Sequence, residues 1–252
     1  MKNCHFFRLL LVRLPIPHIF AWAGWQTTVL RASAVYLLFW ACCWNACIFN
    51  LGAATQGPER WMKAIEAFER EDAEAKSLTG GVMFLGSSSI RMWRSLAEDF
   101  PRQQVCNRGF GGSTIPDSLH FFDRIVIPRR PTTIVLYAGD NDVAAGHGAD
   151  QVYRNYLAFV DRVKKSLPKT KLVFIAIKPS LKRWELAPVM EQANRKVQRH
   201  AFWHRGVLYA DIWNPMLGSD GKPRKELFIE DGLHLSPAGY EIWRDVLAPL
   251  LE

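Results

Sequence analysis

Short apolar runs alternate with longer amphipathic segments along most of this 252-residue chain, and this alternation constrains the fold more than any other feature. The apolar runs are predicted as strands over 82–85, 104–107, 133–137, 171–177 and 207–210. Helices are predicted over 58–77, 89–98, 116–125, 150–167, 185–203 and 237–250. The strands are almost continuously apolar, as strands covered on both faces should be. The sequence therefore predicts an α/β fold with three layers: a doubly wound, mostly parallel, five-stranded sheet between helices.

Charge and cysteine content exclude several classes of function. The formal charge is +8, but Lys2, Arg8, Arg13 and Arg31 all lie in the N-terminal region. The remaining charge of about +4 is spread without runs, which argues against a nucleic-acid partner. Of five cysteines only Cys106 lies in the body of the chain, and no Cys/His spacing resembles a zinc site. We therefore expect no metal and no other cofactor.

The N-terminal region contains an apolar stretch of about 18 residues, from Ala32 to Phe49. This length is near the lower limit for a membrane span and long for a signal-peptide core. Small residues at 52–54 favour a cleaved secretory signal, whereas the bulky Trp44 and Phe49 favour an uncleaved anchor. A third interpretation is that residues 1–31 precede the true start of the protein.

Basic residues precede this stretch and mixed charges follow it, which places the N-terminus in the cytoplasm and the folded domain outside. We therefore expect residues 1–57 to be a signal peptide or membrane anchor with a linker, and 58–252 to be an exported domain. The domain would be periplasmic or extracellular, with residues 32–49 as its membrane tether.

Four segments meet at one edge of the predicted sheet, because sites in doubly wound sheets form outside the carboxyl ends of the strands. Ser88 follows the first strand, Gly111-Gly112 the second and Gly139-Asp140-Asn141-Asp142 the third. The segment from Asp231 to His234 precedes the last helix. Each has a structural interpretation when taken alone, as a helix cap, a turn or a loop ion pair. Their joint occurrence in this order favours a catalytic site.

The four segments supply what acyl transfer requires. Serine is a weak nucleophile that needs a base, and the base needs a carboxylate to orient it, so His234 and Asp231 can activate Ser88. A tetrahedral intermediate needs hydrogen-bond donors, which the following groups can supply: the backbone N–H of Ser88, the N–H of Gly112 and the side-chain amide of Asn141. Aspartates 140 and 142 lack further ligands for a metal.

These segments resemble the sequence blocks of the SGNH hydrolases, the GDSL-type esterase and lipase superfamily. The resemblance spans residues 82–240 and implies a flavodoxin-like sheet. It implies roles for the following residues: Ser88 as nucleophile, Gly112 and Asn141 in the oxyanion hole, and Asp231 and His234 as the catalytic pair. The first block of the family usually reads Gly-Asp-Ser, whereas this chain has Gly86-Ser87-Ser88. Ser89 is therefore the second candidate nucleophile and Ser87 the third.

We interpret the chain as a serine esterase that hydrolyses a carboxylic ester through an acyl-enzyme. A small-molecule, carbohydrate or lipid ester would fit as substrate. Aromatic residues such as Trp93, Phe110 and Trp213, with the segment 178–184, could line a substrate pocket or belong to the core. Two alternatives stay open: an acyltransferase that gives the acyl group to a carbohydrate, and a non-catalytic ligand-binding domain on the same fold.

Overall fold

A five-stranded parallel sheet forms the centre of the computed structural model, which describes residues 57–75 and 79–252. The strands are β1 (Val82–Gly86), β2 (Val105–Gly109), β3 (Thr133–Tyr137), β4 (Lys171–Ile175) and β5 (Val207–Ala210). They are arranged in the order β2-β1-β3-β4-β5, and every neighbouring pair is parallel. The predicted doubly wound sheet is confirmed, and within the described residues it is wholly parallel.

Nine α-helices surround or extend this sheet in the described part of the chain. They are α1 (Met62–Glu74), α2 (Ser88–Arg91), α3 (Leu96–Asp99), α4 (Ile115–His120), α5 (Phe122–Ile125), α6 (Asp140–Ala144), α7 (Ala149–Ser166), α8 (Ala187–Trp203) and α9 (Pro237–Leu251). Short 3-10 turns occupy Pro58–Trp61, Trp184–Leu186, Asn214–Met216 and Lys225–Leu227.

The prediction of one helix over 89–98 is wrong. The chain forms two short helices here, α2 and α3, with a turn between them. Trp93 lies in this turn, is 2% exposed and packs edge-on against Phe84 and Trp243. Its indole Nε1–H donates to Asp99 Oδ2 at 2.6 Å, and the Ser95 hydroxyl donates to the same oxygen at 2.6 Å. Burial of the indole therefore sets the path of the chain here, against the helical periodicity.

The helix predicted over 116–125 is also divided, since α4 ends at His120 and α5 begins at Phe122. The side chains of Phe121 and Phe122 are both buried, 1% and 0% exposed. Phe121 packs edge-on against Phe110, whereas Phe122 packs against Phe159 of α7. Two consecutive aromatic side chains are thus buried against different partners at the break between α4 and α5.

The sheet order places β1 and β3 at the centre, and every residue of both strands is buried. From β1 the chain crosses to β2 on one side, then returns to β3 on the other side. Such a reversal in strand order leaves a crevice at the carboxyl ends of the two strands, where ligands bind. The loop that begins at Gly86 opens onto this crevice.

Gly86 allows β1 to turn sharply into the serine segment. Its φ is +147°, and a Cβ added here would lie 1.9 Å from the carbonyl oxygen of Tyr137 in β3. The backbone N–H of Ser87 donates to that same oxygen at 3.1 Å. Only glycine fits this approach of the two strands, so the turn holds the serines close to the sheet.

The predicted anchor over residues 32–49 and the linker up to residue 56 lie outside the described residues. In the ranges 57–75 and 79–252, no helix is both long and apolar enough to cross a membrane.

Candidate active site

Ser88, His234 and Asp231 form a continuous chain of hydrogen-bonding atoms. The Ser88 Oγ lies 2.9 Å from Nε2 of His234, and Nδ1 of His234 lies 2.5 Å from Oδ2 of Asp231. In the tautomer with its proton on Nδ1, the histidine donates to the carboxylate and its Nε2 accepts from the serine hydroxyl. The structure thus brings together three residues that the sequence assigned to one site.

Burial distinguishes the three adjacent serines. The side chains of Ser87 and Ser89 are 2% and 1% exposed, whereas Ser88 is half-buried. Ser87 occupies the N-cap position of α2, and its carbonyl oxygen accepts hydrogen bonds from Ile90 and Arg91 at 3.1 Å. Only Ser88 combines access to solvent with contact to His234, so the geometry favours it over the other two candidates.

The Asp231–His234 loop is shaped by the Asp231 carboxylate. Oδ1 accepts the backbone N–H groups of Leu233 and His234, both at 2.9 Å, while Oδ2 faces the imidazole. Partial burial alone would raise the pKa of Asp231, but the hydrogen bonds from His234 and the two backbone groups outweigh it and lower the pKa to about 2. The carboxylate therefore stays ionised at neutral pH and can stabilise a protonated imidazole.

Gly112 lies in the loop after β2 with a φ of +79°. A Cβ added here would meet nothing within 4 Å, so the backbone conformation, not lack of space, requires glycine.

Asn141 lies in α6 after β3, and both ends of its amide are held. Nδ2 donates to the carbonyl oxygen of Ser113 at 2.9 Å, and Oδ1 accepts from Arg183 at 3.2 Å. One amide N–H is used by Ser113, which leaves the second available for a ligand. The loop after β2 and the start of α6 are therefore joined through Asn141.

Asp142 fixes the loop after β2 from the other side. Its fully buried carboxylate accepts the backbone N–H of Ile115 at 3.1 Å and the side-chain amide of Asn155 at 3.3 Å. Burial raises its pKa, although these hydrogen bonds lower it in part. Asp142 therefore positions this loop, and no group of metal-binding side chains occurs in the described ranges.

Similarity in sequence and fold to known proteins identifies the family of this chain. A profile of the GDSL-like lipase/acylhydrolase family matches residues 77–242. The chain belongs to this family. As a member of it, the protein is an enzyme that hydrolyses ester bonds, and the family resemblance seen in the sequence is confirmed.

Relatives of this esterase include a curated mammalian enzyme. Platelet-activating factor acetylhydrolase IB subunit alpha1 from Bos taurus is 28% identical over 197 residues, covering 73% of this chain and 79% of that protein.

Solved structures share the fold. A GDSL-like lipase from Bacteroides thetaiotaomicron has a TM-score of 0.62 at 22% identity, covering 74% of this chain and 96% of that one. An acetylxylan esterase from Geobacillus stearothermophilus, solved as a catalytic mutant, has a TM-score of 0.58 at 16% identity, covering 69% and 94%.

The aromatic residues considered as a pocket lining in this esterase belong to the core. Trp93, Phe110 and Trp213 are 2%, 0% and 6% exposed, and the Lys178 side chain is also buried. Trp184 stacks on Trp213 with ring centroids 6.2 Å apart.

Sequence reasoning missed two residues that contact the proposed oxyanion-hole segments of this esterase. Trp61, just before α1, donates its indole N–H to the carbonyl oxygen of Gly111 at 2.8 Å. Arg183 contacts Asn141, as described above. Arg183 lies in the segment 178–184 that was considered as a pocket lining, but neither residue belongs to a motif, so no local pattern indicated these two contacts.

Proposed function

We propose that this esterase works through an acyl-enzyme, with Ser88 as nucleophile, His234 as general base and Asp231 as the carboxylate that orients the base. The observation that carries this proposal is the chain of contacts from Ser88 Oγ to His234 Nε2 at 2.9 Å and from His234 Nδ1 to Asp231 at 2.5 Å. The first distance lies within the range in which a base takes a proton from a serine hydroxyl, and the second is a short hydrogen bond that orients the imidazole.

In the first half-reaction, Ser88 Oγ attacks the ester carbonyl carbon while His234 Nε2 takes the hydroxyl proton. The carbonyl oxygen becomes an oxyanion, bound by the N–H groups of Ser88 and Gly112 and by the free amide N–H of Asn141. Collapse of the intermediate breaks the bond to the alcohol oxygen, which receives the proton from His234. In the second half-reaction, water attacks the acyl carbon and gives a proton to His234; the bond from the acyl carbon to Ser88 Oγ then breaks, and Oγ takes that proton back from His234.

The donors proposed for the oxyanion lie in the three segments that directly follow β1, β2 and β3. Ser88 is the first residue of α2, so its N–H has no partner within that helix. The backbone of Gly112 adopts a positive φ, and two hydrogen bonds hold the side-chain amide of Asn141. Pre-set donors need no rearrangement during the reaction, and each contributes roughly 3 to 4 kcal/mol to transition-state stabilisation.

For the substrate, we propose a small acyl ester of a small molecule or a carbohydrate. Support comes from the names of two similar proteins, an acetylhydrolase and an acetylxylan esterase, both of which act on acetyl groups. The apolar N-terminal stretch supports a substrate outside the cytoplasm.

Hydrolysis of p-nitrophenyl acetate by the full-length chain tests this proposal. We expect Ser88→Ala and His234→Ala each to lower kcat roughly a thousandfold or more, because each removes a member of the proposed triad. Ser89→Ala is the matched control and should retain activity, since the side chain of Ser89 is buried and out of reach of solvent. Loss of activity in Ser89→Ala with retention in Ser88→Ala would overturn the assignment.

Product analysis with an added sugar acceptor separates hydrolysis from acyl transfer. An esterase yields free acid irrespective of the acceptor, whereas a transferase yields the acylated sugar. If the protein neither hydrolyses p-nitrophenyl acetate nor forms a covalent adduct with a serine-reactive phosphonate, the ligand-binding alternative is favoured.

A further inference from the structure

A buried charge cluster lies directly behind Asn141. Its centre is Asp140, which is 4% exposed and whose carboxylate contacts two cations. Lys178 Nζ lies 2.7 Å from Oδ2, and Arg183 Nη1 lies 2.5 Å from Oδ1. Lys178 is 1% exposed, so the cluster is largely shielded from solvent.

The cluster carries more positive than negative charge. The Tyr137 hydroxyl contacts Lys178 at 3.0 Å and Asp140 at 3.3 Å, and burial holds its pKa well above the ordinary value, so it remains neutral. Burial alone would raise the pKa of Asp140, but the charges of Lys178 and Arg183 outweigh it and lower the pKa. One carboxylate therefore faces two cations beside the position proposed for the oxyanion.

Arg183 extends this charge to Asn141. The same Nη1 that contacts Asp140 also donates to Asn141 Oδ1 at 3.2 Å. An amide whose oxygen accepts a bond from a cation is fixed against flipping, and its N–H groups become stronger donors. The remaining Asn141 N–H is the group proposed to bind the oxyanion.

The segment that carries Arg183 also contacts the catalytic loop. The backbone N–H of Lys182 donates to the carbonyl oxygen of Gly232 at 3.0 Å, between Asp231 and His234. The loop after β4 thus joins the two halves of the site, with consecutive residues contacting the Asp231–His234 loop and the oxyanion amide.

We propose that Arg183 is a positioning residue for catalysis, which orients and polarises the Asn141 amide and directs the surplus positive charge of the cluster toward the oxyanion. This inference rests on the proposed function, because it requires Asn141 to bind the developing charge. It predicts an effect on kcat, since the oxyanion exists only after attack on the ester.

The test is a double-mutant cycle on the full-length chain with Arg183→Met and Asn141→Ala. We expect Arg183→Met alone to lower kcat about tenfold or more while KM stays within about threefold, because it weakens a contact made in the transition state. In the Asn141→Ala background the same change should cost less than about threefold, because the group through which Arg183 acts is absent. Arg162→Met, which removes an arginine paired with Asp123, is the matched control and should leave kcat unchanged.

Equal losses in both backgrounds would overturn the proposal, as would a rise in KM with constant kcat. Asp140 keeps Lys178 as partner when Arg183 is replaced, so the variant does not isolate a buried carboxylate. If Arg183→Met fails to fold, Arg183→Gln removes the charge but keeps a polar side chain, and the same cycle with the same expected outcomes is run with it. Covalent labelling of Ser88 by a phosphonate separates the two claims: an unlabelled Ser88 contradicts the proposed function, whereas a labelled Ser88 with additive losses contradicts only the role of Arg183.

Discussion

His234 Nε2 lies 2.9 Å from Ser88 Oγ although the two residues are 146 positions apart in the chain. Helix α9 accounts for much of this approach. Its N-cap Ser236 donates to the carbonyl of Glu226 at 2.7 Å and accepts the N–H of Gly239 at 3.3 Å, which fixes the end of the histidine loop. Tyr240 of α9 donates to the carbonyl oxygen of Ser89 at 2.8 Å. One helix thus contacts both the loop of the proposed base and the segment of the proposed nucleophile.

Replacement of Asp231, the proposed catalytic carboxylate, should slow catalysis without unfolding the protein. We expect Asp231→Asn to lower kcat roughly a thousandfold or more, because an amide cannot stabilise the protonated imidazole and disturbs its tautomer. Steady-state kinetics with p-nitrophenyl acetate measure this. The neighbouring exposed acid offers a matched control: Glu230→Gln makes the same chemical change and should leave kcat unaltered. Equal rates for the two variants would exclude Asp231 from the triad.

Gly112 and Gly206 allow strain to be separated from catalysis. Both have a positive φ, +79° and +81°, and both have open space where a Cβ would lie. Alanine at either position should lower the free energy of unfolding by about 1 to 2 kcal/mol, because left-handed backbone is unfavourable for an L-residue. Only Gly112→Ala should also lower kcat, by about tenfold or more, since it displaces an oxyanion donor. Similar kcat values in the two variants would argue against a role for the Gly112 N–H.

Trp61 should support the rate through the loop that contains Gly112. Trp61→Phe keeps an aromatic ring near Phe110 but removes the donor to the Gly111 carbonyl, so we expect the free energy of unfolding to fall by about 1 kcal/mol. A modest loss of kcat should accompany it as the loop loosens. Trp203→Phe is the control, because this tryptophan is 74% exposed. Urea unfolding measures the stability and steady-state kinetics measure kcat. An unchanged kcat in Trp61→Phe would contradict the expected link between this hydrogen bond and the rate.

His200 should make the stability of the domain depend on pH. Burial, followed by the charges of His204 and Lys164, lowers the pKa of His200 to about 4 in the folded state, although Asp161 opposes this, and its Nδ1 lies 3.0 Å from the Tyr156 hydroxyl. In the unfolded chain the pKa is about 6.5. The unfolded state therefore binds the extra proton first, so stability should fall as the pH decreases from about 6.5 to about 4.

Urea unfolding at pH 7 and pH 5 checks this effect. The decrease in the free energy of unfolding between these pH values should be smaller in His200→Gln than in the parent protein. A decrease of the same size in both would assign the pH dependence to other groups.

The sequence predicted the sheet well because its signals are local. The buried strand Thr133–Tyr137 is a continuous apolar run that ends at Ala138-Gly139, and its predicted bounds match the structure. The β2 strand extends two residues beyond the predicted Asn107, because Arg108 is buried in ion pairs with Glu71 and Asp72 of α1. A charged residue inside a strand gives no local indication of such partners.

Candidate site residues can be named from the sequence where residue type and position in the fold both carry information, as for Ser88 and His234, whose side chains lie 2.9 Å apart in the structure. Sequence reasoning did not reach Arg183, because the contact with Asn141 depends on how the loop after β4 folds back over α6. The sequence ranked Ser88 ahead of Ser89 and Ser87 only through the family resemblance, and the structure adds that the burial of the three differs although their chemistry is identical.

The most direct measurement is the site of covalent labelling by a serine-reactive phosphonate, determined by peptide mass spectrometry on the full-length chain. The proposed mechanism predicts one adduct, on Ser88, absent in Ser88→Ala, present in Ser89→Ala and formed far more slowly in His234→Ala. An adduct on Ser87 or Ser89, or labelling of Ser88 at an unchanged rate in His234→Ala, would contradict it.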